Sequence, residues 1–443
     1  MTFVSSTTLR ARFAGRLSDL YGAEVPAYTT LLEVAHEVNG RVLERDGTDA
    51  ERLGSIARVT AERHGAIRVG SPAELAQVAS IFDALGMSPT GFYDLRDAHP
   101  QPIPVISTAF RPIEREELAA NPFRVFTSML VPEDRRFFDA DLERRLKEFI
   151  ACRRLFAPEL LELADQAEAD GGLEEAEAER FLDLATSSFA LSDQPVDRAW
   201  HDELQRVSGV AADIGGVTST HINHLTPRVL DIDDLYASMQ ARGIEMIDKI
   251  QGPPRWDGPD VLLRQTSFRA LAEPRKYREA DGSIVAGTMR VRFGEVEARG
   301  IALTRAGRDL YDAAMADQEH WADHMPDSER ELHDRGLAYF TYRVADDRPV
   351  APPPADATPV ELVAGGWLAP DPIVYEDFLP RSAAGIFASN LSRSGSMDSA
   401  QGGAERDIAW MSEQIGRPVN VPEDLYAAES RASLRAALEL LGG

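Results

Sequence analysis

The sequence predicts an α+β protein built from two β-α-β-β-β modules, with helices before, between and after them. Two segments share one internal pattern, which begins at His64 and begins again at His224. In each segment an arginine follows the histidine by four residues, a valine by five, and a helix-capping Ser71 or Asp231 by seven. Each segment then continues as a helix of about three turns that ends at a glycine. Such self-similarity indicates an internal repeat.

The first half of the chain follows this plan. Apolar residues at three- and four-residue spacing predict N-terminal helices over 9–21 and 27–44, and the helical pattern continues over 50–63. The first module then contains a strand with His64, a helix over 72–85, a short strand or turn over 88–95, and two further strands over 102–113 and 122–131. Residues 133–212 are charged and rich in Leu and Ala, which predicts a helical insertion.

The second half repeats the order of elements. A strand over 220–225 and a helix over 232–242 open the second module, and three more strands are predicted over 244–250, 261–271 and 288–304. Helices, a proline-rich connector, a strand-and-loop segment and a helical tail complete the chain. We therefore expect an N-terminal helical region, a first module, an insertion, a second module and a C-terminal region, at 1–63, 64–132, 133–212, 213–304 and 305–443.

Composition excludes several classes of protein. The chain has 47 Lys and Arg against 73 Asp and Glu, a net charge of −26. Such a surface repels phosphate backbones, so nucleic acid is not an expected partner. The apolar runs are too short to span a bilayer and the N-terminus lacks a secretory signal, so we expect a cytoplasmic protein without a membrane partner. The single Cys152 excludes an intrachain disulfide.

The repeat indicates a metal site. Each module contributes one histidine from its first strand, so His64 and His224 can meet around one ion. A third ligand can come from the last strand of the second module, where Glu295 and Glu297 share one face. Two imidazoles and one carboxylate leave adjacent positions open, as in non-haem Fe(II) oxygenases, where a bidentate 2-oxo acid and O2 can bind side by side. His221 competes with His224 as a ligand, but the register of the repeat favours His224.

The paired modules resemble the vicinal oxygen chelate superfamily, whose modules form a curved central sheet. That superfamily binds metal through a first-strand histidine and a last-strand glutamate. The run Phe-Gly-Glu-Val-Glu-Ala-Arg-Gly at 293–300 is similar to the metal-binding strand of the hydroxyphenylpyruvate dioxygenases, in which the first glutamate binds iron. This resemblance implies that Glu295, rather than Glu297, is the ligand.

Longer ungapped motifs are similar to those of the 2-oxoadipate dioxygenase/decarboxylase family. They lie at 62–68, 223–228, 263–268, 299–304 and 376–387, so the resemblance covers most of the chain. It implies Fe(II) held by His64, His224 and Glu295, and conversion of 2-oxoadipate and O2 into 2-hydroxyglutarate and CO2.

The resemblance also implies a substrate pocket. Arg68 is expected to hold a substrate carboxylate, since a guanidinium is permanently charged and binds two oxygens at once. Gln265 and Ser267 share one face of a strand, where they either bond to substrate or O2 or simply face a wet cavity. The loop with Arg381 and Ser382 resembles a substrate-contacting segment. The family has a small apolar residue where Arg381 stands, so Arg381 either changes the preferred 2-oxo acid or points to solvent.

Other functions fit the same ligands. A glyoxalase-type isomerase or lyase would use Zn, Ni or Mn as a Lewis acid without O2, and a related dioxygenase would act on a different 2-oxo acid. A binding protein that had lost the metal would not need the intact ligand set. The same ligands hold several divalent ions, and the sequence carries no prediction of the oligomeric state.

Overall fold

A computed structural model describes residues 3–98, 101–290, 292–354, 356–379, 397 and 401–442. The strands in these ranges are β1 Phe3–Ser5, β2 Arg63–Val69, β3 Ser88–Asp94, β4 Val105–Arg111, β5 Arg124–Leu130, β6 Gly172–Glu174, β7 Val196–Asp197, β8 His224–Pro227, β9 Leu263–Ser267, β10 Glu273–Arg278, β11 Ile284–Met289, β12 Glu295–Arg299, β13 Phe340–Val344 and β14 Leu368–Pro372. The α-helices are α1 Ser6–Glu24, α2 Pro26–Asp46, α3 Ile56–Ala61, α4 Pro72–Ala84, α5 Arg115–Ala120, α6 Ala140–Cys152, α7 Pro158–Asp170, α8 Glu175–Ser188, α9 Arg198–Val207, α10 Gly209–Gly215, α11 Ile232–Ala241, α12 Arg305–Ala316, α13 Trp321–His324, α14 Glu329–Asp334, α15 Pro359–Ala364, α16 Ile408–Ile415 and α17 Pro422–Gly442.

The first module forms as the sequence predicts. Its strands lie in the order β3-β4-β5-β2, with β2 parallel to β5, and α4 connects β2 to β3. Ser71 caps α4 by accepting a hydrogen bond from the Glu74 amide at 3.3 Å, because a side-chain oxygen satisfies an amide that has no partner within the helix. The predicted helix and strands are present in this order, with one short helix that was not predicted, α5, between β4 and β5.

The two modules join through their first strands. β2 pairs antiparallel with β8, and a parallel bridge between Arg228 and Glu297 continues the ladder from β8 to β12. β12 pairs antiparallel with β9, beyond which bridges at Met246 and Gln251 add one more extended segment. The α+β fold with paired modules is confirmed, and the first strands of both modules lie side by side at its centre.

Alternation along β2 separates the helix-covered core from the opposite face of the sheet. Ile67 and Val69 are buried in a core cluster shared with α1, α2 and α4. His64, Ala66 and Arg68 occupy the alternate positions and face the other way, because side chains one residue apart project to opposite sides of a strand. The polar side chains of β2 therefore lie on the face of the sheet that is opposite the helix-covered core.

The second module departs from the prediction in three places. The segment 244–250 is not a strand and is joined to β9 and the residue after it only by isolated bridges at Met246 and Gln251. The strand expected over 220–225 begins only at His224, because the segment before it is held by other contacts, such as the hydrogen bond from Thr220 Oγ1 to the Arg68 carbonyl at 2.8 Å. The single strand expected over 288–304 is also wrong. Residues 284–289 instead form β11, which pairs with β10 as a hairpin against β7 in another sheet.

The remaining regions are mostly helical, as expected. The helix predicted over 50–63 is shorter, with a 3-10 turn at Gly47–Glu51 and α3 at Ile56–Ala61. The insertion contains α6 to α10, and its short strand β6 pairs with β1 at the N-terminus. Among the residues described, none of the helices combines the length and apolarity needed to cross a bilayer.

Candidate metal centre

Two histidines meet at the junction of the modules. In the β2–β8 ladder His64 lies opposite Thr226 and His224 lies opposite Ala66, so the two histidines are diagonal neighbours on one face. Their ring centroids are 5.4 Å apart and the rings are nearly perpendicular. Both residues are buried. The repeat register, which favoured His224 over His221, therefore brings the intended pair together.

Glu295 completes the group from the first position of β12. Its Oε1 lies 3.8 Å from His64 Nε2 and its Oε2 lies 3.3 Å from His224 Nε2. The preceding Gly294 allows this approach, since a Cβ there would lie 1.8 Å from a ring carbon of Phe268. The strand can therefore come close enough to β9 only with glycine at that position.

The three side chains have the spacing of a mononuclear metal site. One ligand atom from each of His64, His224 and Glu295 lies within 4.8 Å of the other two. Ligands held about 2.1 Å from one ion at right angles are themselves about 3 Å apart, close to the separations seen here. Both ring nitrogens of His224 are buried without a hydrogen-bond partner in the described part of the chain. A buried imidazole with no partner is costly, and a bound cation would relieve that cost.

The electrostatics also suit a cation. Burial lowers the pKa of His224 well below its usual range, and the charges of His64 and Arg68 act in the same direction. Burial also lowers the pKa of His64, against the attraction of Glu297. Neutral imidazole is the form that binds metal. Burial and the charge of Glu297 raise the pKa of Glu295 well above its usual range, which leaves a buried carboxyl that a dication would stabilise as the anion.

Glu297, the other candidate ligand, has a different position. Its Oε2 lies 2.9 Å from His64 Nδ1, the ring nitrogen on the far side from Glu295, in a bent geometry. Arg299 donates to both oxygens of Glu297, at 2.7 and 3.1 Å. Although burial acts in the opposite direction, the charges of Arg299 and His64 lower the pKa of Glu297 to about 2. Glu297 is thus a permanently charged neighbour of His64.

The two polar residues predicted on β9 lie beside Glu295. Gln265 Nε2 donates a hydrogen bond to Glu295 Oε1. Ser267 is directly opposite Glu295 in the β9–β12 ladder, and both residues are buried. The structure therefore brings Gln265 and Ser267 to the group of three, with Gln265 orienting the carboxylate.

Arg68 lies on the same face of β2 as His64, but its guanidinium is engaged. It donates to Asp213 on α10, and both side chains are buried. The same carboxylate accepts a hydrogen bond from Asn223 Nδ2 at 3.1 Å, and its other oxygen lies 3.5 Å from His221 Nε2. His221 is therefore part of a buried group around Asp213, separate from the three candidate ligands.

Two predicted site residues remain, and two carboxylates near the site have roles that were not predicted. Arg381 and Ser382 lie outside the described residues. Sequence reasoning missed Asp213, because one acidic residue near the end of the helical insertion carries no signal of its partner. The alternate positions of Glu295, Glu297 and Arg299 on one strand contain the signal for the carboxylate behind His64, although this pattern alone predicts only that one of the two glutamates is a ligand.

The fold and the site together define a class of protein. Paired β-α-β-β-β modules hold two neutral imidazoles and one carboxylate around a point where their central strands meet, which is the ligand set of mononuclear non-haem metal enzymes.

Comparison with known proteins narrows the class. The model of the 2-oxoadipate dioxygenase/decarboxylase family matches residues 13–390. A Mycobacterium tuberculosis protein named 2-oxoadipate dioxygenase/decarboxylase is 58% identical over 430 residues, 96% of this chain and 97% of the relative. An Escherichia coli protein of the same name is 39% identical over 461 residues, 98% of this chain and 99% of the relative. The chain belongs to the 2-oxoadipate dioxygenase/decarboxylase family, which confirms the resemblance seen in its motifs.

A solved structure from the same comparison shares the fold of this chain. The crystal structure of the hydroxyglutarate synthase from Pseudomonas putida in complex with 2-oxoadipate superimposes with a TM-score of 0.83. The two proteins are 36% identical, and the match covers 100% of each chain.

Proposed function

We propose that this protein is an Fe(II)-dependent dioxygenase that converts 2-oxoadipate and O2 into 2-hydroxyglutarate and CO2. The observation that carries the proposal is the buried group His64, His224 and Glu295 in a chain of this family. The reaction is balanced, because one oxygen atom of O2 enters the new carboxylate and the other the new hydroxyl group. No second 2-oxo acid is consumed, since the substrate supplies its own.

The donor set favours iron for this reaction. Two imidazoles and a carboxylate hold several divalent ions, but O2 must be reduced and Zn²⁺ has no accessible redox change. An Fe(II) ion held by the three ligands would supply the electrons for O2 and a chelation site for the 2-oxo acid. The protein supplies the binding, the orientation and the electrostatics.

Arg68 would bind the carboxylate at the far end of the substrate. It lies four residues along β2 from His64, about 13 Å between backbone positions, and its side chain is buried on the same face. Its existing bond to Asp213 is compatible with this role, because a guanidinium has five N–H donors and can serve two carboxylates. Asp213 would then hold the guanidinium in place before substrate arrives.

Aromatic side chains flank the ligands. The ring of Phe378 is 5.0 Å from that of His64, and the ring of Phe293 is 5.1 Å from that of His224. These rings exclude water from the two imidazoles. Excluding water lowers the local dielectric constant, which strengthens the electrostatic attraction between the ligands and a cation.

The test is O2 consumption by protein loaded anaerobically with Fe(II). With 2-oxoadipate we expect O2 uptake matched one to one by CO2 release, and much lower uptake with 2-oxoglutarate or hydroxyphenylpyruvate. Iron-loaded protein that consumes no O2 with 2-oxoadipate would contradict the proposal. Product formation without O2 would instead indicate an isomerase or lyase.

Two neighbouring histidines provide a matched control. His224→Gln is expected to lose bound iron and O2 uptake together, because the triad loses one ligand. His221→Gln removes a histidine of the same segment that lies at Asp213, so it is expected to keep one iron per chain. Loss of iron in both variants to the same degree would contradict the assignment of ligands.

A further inference from the structure

We infer that Glu297 is the positioning residue of the metal centre: it holds the ring of His64 so that Nε2 faces the ion, and Arg299 joins it to the segment 375–378. The inference rests on the proposed function only for the presence of a metal ion. Glu297 is not proposed as a ligand, since its contact is with the opposite ring nitrogen.

The geometry around His64 sets its tautomer. Nδ1 lies 2.9 Å from Glu297 Oε2, whereas Nε2 faces Glu295 at 3.8 Å. A carboxylate only accepts, so the hydrogen of the neutral ring belongs on Nδ1 and the lone pair on Nε2. Carboxylates in this position orient metal-binding histidines and make them better donors.

Glu297 is itself held on several sides. Arg299 donates to both of its oxygens, and Arg124 Nη1 lies 3.6 Å from Oε1. All three side chains are fully buried. A carboxylate bound this closely cannot turn away from His64 without giving up both hydrogen bonds from Arg299 and its contact with Arg124, and charge-assisted bonds of this kind are the strong ones in a buried site.

The equivalent histidine of the second module has no such partner. Among the residues that the structure describes, no carboxylate pairs with His224 Nδ1, and its ion-pair contact is from Nε2 to Glu295 at 3.3 Å. The two histidines therefore differ in what holds them: His64 is fixed from behind by a charged side chain, whereas His224 is placed by its strand and by packing against Phe293. Loss of the carboxylate should then affect one ligand of the three.

Arg299 extends the contact to a second segment of the chain. Its Nη1 donates to the carbonyl oxygens of Tyr375 and Asp377, at 2.8 and 3.0 Å. Its guanidinium lies 5.7 Å from the ring of Phe378, which in turn packs edge-on against His64. One arginine thus fixes both the carboxylate behind His64 and the backbone that carries its aromatic neighbour.

A purely structural role is the competing explanation, and Glu62 is the control for it. Glu62 is also fully buried, and it contacts Arg124, Arg228 and Arg299 at 2.6, 3.2 and 3.2 Å. Within the described part of the chain, Glu62 forms no ion pair or hydrogen bond with His64. If Glu297 merely balanced the buried arginines, Glu297→Gln and Glu62→Gln would have the same effects.

Glu297→Gln keeps the size of the side chain and replaces one acceptor oxygen by an NH2 donor. At the position of Oε1 an NH2 group would face both Arg299 Nε and Arg124 Nη1, so the amide oxygen stays there and the NH2 group takes the position of Oε2. There it meets Arg299 Nη2 and His64 Nδ1, of which only Nδ1 can accept. The ring proton then moves to Nε2, which removes the lone pair that faces the ion. We expect Fe(II) and Co(II) to bind 10–100 times more weakly by anaerobic chelator competition, with a changed visible spectrum of the Co(II) form.

The companion variants decide between the explanations. Glu62→Gln is expected to lower the unfolding temperature but to leave metal affinity within about threefold of the parent protein, because no ligand is touched. Imidazole 15N shifts of the metal-free protein should place the His64 proton on Nδ1 in the parent and on Nε2 in Glu297→Gln. Unchanged metal affinity and spectrum in folded Glu297→Gln, or equal losses in both variants, would overturn the inference. Should Glu297→Gln not fold, the comparison of Glu297→Asp with Glu62→Asp replaces it, with the same two outcomes.

These measurements are independent of turnover. Weaker metal binding in Glu297→Gln would support the inference even if the parent protein failed to oxidise 2-oxoadipate. Normal oxidation by the parent with unchanged metal binding in the variant would overturn the inference alone.

Discussion

Because the ion pair between Arg68 and Asp213 is buried, we can predict how much stability the protein loses when the pair is broken. The two side chains are 3% and 1% exposed, so neither charge is solvated by water. Replacing Asp213 by Asn leaves the guanidinium buried beside a neutral amide. Breaking a buried pair by removing one partner costs about 3–5 kcal/mol. We expect the lower end, about 3 kcal/mol, because the amide keeps one oxygen that can accept from Arg68.

A double-mutant cycle separates this pair from general damage. Arg68→Met leaves Asp213 charged and buried, whereas Arg68→Met with Asp213→Leu removes both charges. Since a buried ion pair replaced by apolar side chains is often neutral in stability, the double variant should be at least about 2 kcal/mol more stable than the sum of the single changes predicts. The assay is denaturant unfolding of the metal-free protein, followed by circular dichroism.

Additive single effects would refute this reasoning, because independent side chains have no coupling energy. The same variants also test the proposed role in binding. Asp213→Asn should raise the KM for 2-oxoadipate while metal affinity stays unchanged, since the side-chain partners of Asp213 are Arg68, Asn223 and His221 and not the three candidate ligands. A large loss of metal affinity would show that Asp213 acts on the metal centre instead.

Three further predictions follow from the site. Gln265→Leu removes the donor to Glu295 and should weaken metal binding about tenfold in a chelator competition; unchanged affinity would contradict the contact. Added metal at about 100 times its Kd should stabilise the parent protein by about 2.7 kcal/mol, and this gain in thermal unfolding should vanish in His224→Ala. Burial, against the attraction of Asp213 and together with the charges of Arg275, Arg292 and Arg68, lowers the pKa of His221 to about 4. Below about pH 6.5 the unfolded chain therefore binds a proton that the folded chain does not, and stability should fall by about 2 kcal/mol from about pH 7.5 to about pH 5. His221→Asn should lack this part of the acid destabilisation, and equal pH curves would refute the assignment.

Local patterns were predicted well because local contacts decide them. Ser71 and Asp231 were predicted as helix caps. Each side chain accepts a hydrogen bond from the backbone amide three residues later, that of Glu74 at 3.3 Å and that of Asp234 at 3.0 Å. The repeat therefore gave the register in which His64 and His224 meet. Each candidate ligand lies on a strand, and the alternation of side chains along a strand shows which residues share a face. The sequence could therefore predict that the three side chains point to the same side.

Distant contacts explain the errors. An alternating strand has the same pattern whichever sheet it joins, so the sequence did not separate the hairpin of 273–289 from the second module. Its strand β10 alternates buried and exposed residues, but its neighbours are β11 and β7. Similarly, Thr220 and Asn223 continue the period of a strand, yet their side chains bond to the Arg68 carbonyl and to Asp213.

The two arginines of the repeat show why equal local sequence does not give equal roles. Arg68 and Arg228 each follow a histidine by four residues on the first strand of a module. Arg68 meets Asp213 on α10, the helix that links the insertion to the second module. Arg228 meets Glu62 at 3.2 Å and the carbonyl of Leu53 at 2.8 Å, both from the segment before the first module.

The partner of each arginine comes from outside the repeat. The segments that flank the modules therefore decide that Arg68 pairs with Asp213, whereas Arg228 is held in the buried charge network behind His64. A chain that kept both modules but exchanged these flanking contacts would keep the metal ligands and lose the asymmetry between its two arginines. By this reasoning the repeat provides the candidate ligands, and the segments around it provide the different partners of the two arginines.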